Sequence, residues 1–145
     1  MSMIKVKYIL THQNAKVPEK AHDDDAGFDL FAVEESILRP QEFACIPTGL
    51  CIELPGGMEA QIRPRSGLAA KHGVTVLNTP GTIDAGYRGE VKIILINHGK
   101  ENFSISPGMR IAQMVIKPIY DVDFTETAVL EESVRSEGGF GSSGR

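Results

Sequence analysis

The chain has 145 residues, 41% of them hydrophobic, with a formal net charge of −4 and a pI of about 5.5. That length suits one domain with a real core, and the apolar share excludes a chain that is disordered throughout. The acidic balance argues against a broad nucleic-acid-binding face but leaves room for a local arginine cluster around a small anion.

Residues 3–10 alternate Ile4, Val6 and Tyr8 with Lys5 and Lys7, a strand pattern rather than a secretion signal. No apolar run reaches membrane-spanning length, so a soluble cytoplasmic protein is expected, with no membrane and no nucleic-acid partner. A polar loop over 11–24 leads to strands at 28–33 and 36–39. Residues 42–54 read as extended, with a bend at Pro47-Thr48-Gly49, and are followed by a turn at 55–57 and a strand at 58–63. Only residues 66–72 look helical, scarcely about two turns. Strands at 74–77, 90–96, 102–105, 110–119 and 122–125 complete the set, with turns at 97–99 and 106–108. Many short strands with regular turns predict an all-β sandwich or barrel with one short helix. The domain is expected over 1–132, and 133–145 reads as a flexible tail. Cys45 and Cys51 lie in a strand-like apolar run and are expected to be buried thiols. The four histidines, His12, His22, His72 and His98, show no metal-ligand spacing.

Chemistry concentrates in five stretches. The central one, 78–89, is Asn78-Thr79-Pro80-Gly81-Thr82-Ile83-Asp84-Ala85-Gly86-Tyr87-Arg88-Gly89, between two apolar runs. It reads as a hairpin with irregular tips, and a carboxylate held rigidly there, Asp84, can take a proton from water. The alternative is an Asx-turn in which Asp84 bonds its own backbone. Upstream, Asp29 alternates with Phe28 and Leu30, behind an acidic run, Asp23-Asp24-Asp25, that reads either as a solvated loop or as help for a hydrated cation. In Arg63-Pro64-Arg65-Ser66-Gly67, Ser66 is a good N-cap and Gly73 a good helix stop. A helix start with free N–H groups beside Arg65 suits an anion, although an ordinary capped helix fits as well. Gln113 stands among apolar neighbours on a strand, as a satisfied core amide or as a group facing ligand. The tail carries one aromatic, Phe140, among Gly and Ser. It is either a disordered end or a docking segment whose N–H groups and hydroxyls wrap phosphates.

Taken together, DAGFDL, PRSGLA, NTPGTIDAGYRGEV, GMRIAQMV and RSEGGFGSSG occur in that order over nearly the whole chain. In this the chain resembles the trimeric dUTP pyrophosphatase family. The resemblance implies a distorted jelly-roll of the β-clip type. It implies a homotrimer with shared active sites, and Mg²⁺-assisted hydrolysis of dUTP to dUMP and pyrophosphate, with dUMP supplied for thymidylate synthesis. It assigns Asp84 as the base that activates a water against the α-phosphorus, with Gln113 beside that water. It assigns Asn78, Gly81, Thr82 and Ile83 to the uracil edge, Tyr87 to the sugar, and Arg65, Ser66 and Gly67 to phosphate. Arg135, Phe140, Gly141, Ser142 and Ser143 match a C-terminal arm closing from a neighbouring subunit. Asp29 matches a position that supports the metal through its water shell. Two departures, Ser136 where Gly is frequent and Ser143 where Thr is frequent, touch the arm alone.

Two rivals are weighed. A dCTP deaminase resembles this fold but needs a glutamate on the strand after the hairpin, where Ile94 stands and cannot move protons. A non-catalytic β-scaffold would have no use for Asp84, Arg135 and Phe140 together.

Overall fold

The computed structural model describes residues 2–144 and shows the expected all-β architecture, with short strands laid out in sheets around an apolar interior. The strands are β1 (Lys7–Leu10), β2 (Phe28–Phe31), β3 (Ser36–Leu38), β4 (Phe43–Glu53), β5 (Met58–Arg63), β6 (Val74–Val76), β7 (Gly81–Ile83), β8 (Glu90–Asn97), β9 (Phe103–Ile105) and β10 (Arg110–Pro118). The helix α1 spans Ser66–His72. One sheet runs β1-β4-β8-β6, a second β2-β10-β5-β7, and β3 pairs with β9 in a third. This is a distorted jelly-roll.

The two large sheets close on a core that includes Leu30, Ile46, Leu50, Ile93, Leu95 and Ile111, all fully buried. Each such side chain contributes about 1.5–3 kcal/mol of burial. In β8 the alternation is explicit: Val91, Ile93 and Leu95 point inward while Lys92 is exposed. The bend expected at 47–49 is a slip in the register of β4 against β8 between Pro47 and Cys51, with Gly49 at φ +67. Buried Thr48 locks it, donating its hydroxyl to Val91 O and accepting from Leu50 N. Asn97 is wholly buried and fully paired. Its amide donates to Leu38 O at 2.9 Å and Glu101 O at 2.8 Å, and its Oδ1 accepts from Gly99 N at 2.8 Å. It thereby ties β8 to the small third sheet.

Five expectations are corrected. The first strand is confined to Lys7–Leu10, and residues 28–33 contribute a strand only over Phe28–Phe31. No strand forms at 122–125: Val122 and Phe124 are exposed, and the segment pairs with no sheet edge of this chain. Cys45 is exposed and Cys51 half-buried, because β4 turns these positions to the outer face of its sheet. Ser66 is not the N-cap. Arg65 holds that position with extended backbone and no side-chain cap, while Gly73 ends the helix at φ +68 as expected.

Candidate active site

The strands β6 and β8 pair antiparallel, with Val76 opposite Leu95, so residues 77–89 form one long connection between them. Partway along, β7 leaves that sheet and pairs with β5, setting Gly81 against Ile62 and Ile83 against Ala60. The predicted simple hairpin is therefore a bridge between the two sheets, which fixes its backbone from both sides. Asp84 follows β7 directly and opens a tight turn in which Tyr87 N donates to Asp84 O at 3.1 Å. Among the described residues, the Asp84 carboxylate accepts no hydrogen bond and joins no ion pair, so the Asx-turn alternative is not formed. Tyr87 folds back on its own chain, its hydroxyl donating to Glu90 O at 2.8 Å. A side chain at Gly89 would strike that ring, which explains the glycine.

Beside this connection lies a cleft of about 350 Å³. Asn78, Gly81, Thr82, Ile83, Asp84 and Tyr87 line it, together with Val76, Cys45, Lys92 and Ile94. Its polar groups are the Asn78 amide, the Asp84 and Glu90 carboxylates, Lys92, the Thr82 and Tyr87 hydroxyls and strand backbone, beside apolar Val76, Ile83 and Ile94, a mixture that suits a small planar base. Ile94 lies where the comparison with a deaminase places it, whereas Cys45 and Lys92 are not named for the site by the sequence. The signal was present in β8, where Lys92 and Ile94 fall on the face opposite the core.

A second cleft, of about 390 Å³, gathers Asp29, Arg65, Ser66, Gly67 and Gln113 with His22 and Asp25. Asp29, on β2, is mostly buried and lies 3.5 Å from Arg65 Nε and 3.1 Å from Arg110 Nε. Arg65 Nη1 also reaches Arg110 O at 3.5 Å. The carboxylate thus holds two guanidinium groups in place at the rim of this cleft. Gln113, on β10, sits in register with Asp29 on one side and Arg63 on the other, and its Nε2 donates to Pro64 O at 3.0 Å. It is a half-buried amide facing the cleft, not a core amide. Gly27 makes this possible: a Cβ there would lie 3.0 Å from Gln113 Cδ and nearer still to Oε1. The roles of Gly27 and Arg110 were not read from the sequence, because each acts only through a contact with another strand.

The predicted site residues therefore fall into two clefts with no lining residue in common. The tail joins neither. Residues 133–144 coil through local turns, with Arg135 Nε on Gly138 O at 2.6 Å, and Phe140 is fully exposed. Between β10 and the tail, Tyr120, Phe124, Val129 and Leu130 are also exposed. Among the described residues no three His, Cys, Asp or Glu side chains converge as a metal cage, and no helix is long and apolar enough to cross a membrane.

An all-β body with a base-sized slot on one strand connection and a second cleft where Arg65 stands beside the start of α1 has the make-up of a nucleotide-binding protein. The family model for dUTPase matches residues 13–144. The chain is 61% identical to the deoxyuridine 5'-triphosphate nucleotidohydrolase of Clostridium tetani over the full length of both, and 58% identical to that of Clostridioides difficile over 99% of each. Among solved structures it superposes on the Staphylococcus bacteriophage 80alpha dUTPase with dUpNHpp, with a TM-score of 0.90 and 32% identity over 97% of this chain and 99% of that one. A dUTPase from phage phi11 of S. aureus, described with a structural Mg(II) ion, matches with a TM-score of 0.81 and 28% identity, covering 88% of this chain and 99% of that one. The chain belongs to the dUTPase family.

Proposed function

We propose that the chain hydrolyses dUTP to dUMP and pyrophosphate, with the uracil in the slot between β7 and β8 and Asp84 as general base. The observation that carries this reading is the position of Asp84: an unpaired carboxylate on a turn anchored to two sheets, at the edge of a slot lined by strand backbone and Asn78. Water attacks the α-phosphorus as Asp84 takes its proton. A bond forms from the water oxygen to phosphorus, and the bond from phosphorus to the α,β-bridging oxygen breaks, releasing pyrophosphate. Gln113 orients the α-phosphate and the water. Asn78 and the backbone of Gly81, Thr82 and Ile83 satisfy the uracil edge, and Tyr87 lies beneath the deoxyribose. Phosphoryl transfer of this kind depends on positioning and charge neutralisation more than on covalent help.

Arg65, Ser66 and Gly67 take the phosphates from the second cleft. Asp29 is already paired with two arginines and Asp25 Oδ2 with His22, so a Mg²⁺ ion at this cleft would be held by the triphosphate and its own water shell, with Asp29 reached only through that water. Such an ion would supply charge neutralisation for the departing pyrophosphate. One copy of the chain separates slot from phosphate cleft and leaves its tail outside both, which supports a site completed between subunits; the family resemblance makes that assembly a homotrimer. Residues 133–145 form the arm, in which Arg135, Phe140, Gly141, Ser142 and Ser143 close over the nucleotide. Residue 145 lies outside the described residues. The exposed apolar residues between β10 and the arm are what such an assembly would cover.

A panel of dUTP, dTTP, dCTP and UTP, scored for pyrophosphate and for ammonia, tests the reaction. Pyrophosphate from dUTP alone is expected. Ammonia from dCTP would favour the deaminase reading, against which Ile94 in the slot already stands. For Gln113, a smaller experiment applies. Gly27→Ala should displace the Gln113 amide and lower kcat by roughly an order of magnitude. Stability should drop by only about 1–3 kcal/mol, read by thermal melting.

A further inference from the structure

Arg88 and Glu53 are not accounted for by the reading above, and their geometry bears on Asp84. Arg88 Nη1 donates to Ala85 O at 2.6 Å and to Tyr87 O at 3.3 Å, two carbonyls of the turn that Asp84 opens. Its Nε lies 3.5 Å from Glu53 Oε1, at the end of β4. Glu53 Oε2 is in turn 3.6 Å from Lys7 Nζ on β1, its register partner. The guanidinium thus grips the turn from one side and the edge of the first sheet from the other. Both partners are about half exposed, so the pair adds little to stability. What it supplies is direction, since the rigid planar guanidinium presents Nη1 to two carbonyls and Nε to a carboxylate in a fixed geometry, where an ammonium is a single rotatable point charge.

We propose that Arg88, braced by Glu53, is a positioning residue for Asp84. It holds the turn 84–87 so that the carboxylate stays aimed at the reacting water. This inference rests on the reading of Asp84 as the base. The uracil end of the slot is outside the clamp's reach, because β7 is held by its pairing with β5, and at the other end the Tyr87 ring is held separately by its hydroxyl on Glu90 O. Loss of the clamp therefore acts on kcat and not on KM.

The test is steady-state kinetics and thermal melting of the full chain with dUTP, for Arg88→Ala, Arg88→Lys, Glu53→Gln and Asp84→Asn. Arg88→Ala should lower kcat roughly tenfold to a hundredfold, with KM within about twofold. Glu53→Gln should lower kcat roughly threefold to tenfold, and Arg88→Lys should fall between parent and Arg88→Ala. Melting temperatures should stay near that of the parent, which separates positioning from a fold defect. Adding Arg88→Ala to Asp84→Asn should cost nothing further. Inactive Asp84→Asn together with unaltered kcat in Arg88→Ala and Glu53→Gln overturns the clamp alone. A rise in KM at constant kcat also overturns it, since Arg88 would then touch substrate. Full turnover by Asp84→Asn instead overturns the base on which the inference rests.

Discussion

Asp84→Asn is expected to lose turnover by roughly a hundredfold to ten-thousandfold, the usual worth of a positioned general base. It should still bind a non-hydrolysable dUTP analogue with affinity within about threefold of the parent. The substitution keeps the size of the side chain and removes its basicity. The turn does not depend on the carboxylate, since its defining hydrogen bond runs from Tyr87 N to the Asp84 backbone oxygen. The slot is built by Asn78, the β7 backbone and the Ile94 face, none of which the change disturbs. Initial rates and titration calorimetry on the same preparation give both numbers. Equal turnover in the variant would refute Asp84 as the base, and lost binding would show that its charge serves the ligand instead.

Removing the residues after Ser133 should lower kcat by roughly a hundredfold or more while leaving the body folded. The segment holds Arg135, the tail's one cationic side chain apart from the terminal residue, and Phe140, which is bare in the single chain. A fixed donor aimed at developing charge is worth roughly a hundredfold to a thousandfold in rate, and a closing segment also excludes bulk water. Neither cleft is lined by these residues and none lies in the core, so the melting temperature should not move. A truncated protein that melts early would contradict the arm. Mixed trimers sharpen the test. Truncated copies co-assembled with full-length Asp84→Asn copies should recover part of the activity if base and arm come from different subunits. No recovery would place both on one chain.

Much of the fold was legible because its signals are local. The strand expected at 90–96 forms as β8, and Gly73, Gly49 and Gly57 mark the expected helix stop and turns at positive φ. The readings that failed concern contacts between distant residues. Period-two apolar residues at 122–125 promise a strand, but a strand needs a partner edge, and alternation alone does not supply one. Ser66 has the chemistry of a cap, yet the chain entering after Pro64 is extended through Arg65 and places the boundary one residue earlier. Cys45 is apolar in composition but falls on the outward phase of β4.

For this protein the sequence alone determined the class of fold, the order of the five motifs and the candidates for each reactive group, because periodicity and side-chain chemistry are written in neighbouring residues. Only the tertiary structure decided that Asp29 is held between two arginines and that Gly27 makes room for Gln113. It also decided that the segment bearing Asp84 bridges two sheets, and that slot and phosphate cleft stay apart within one chain. Each of these depends on which strands pair and in what register. That choice is made by packing the whole core at once, not by any one stretch of residues.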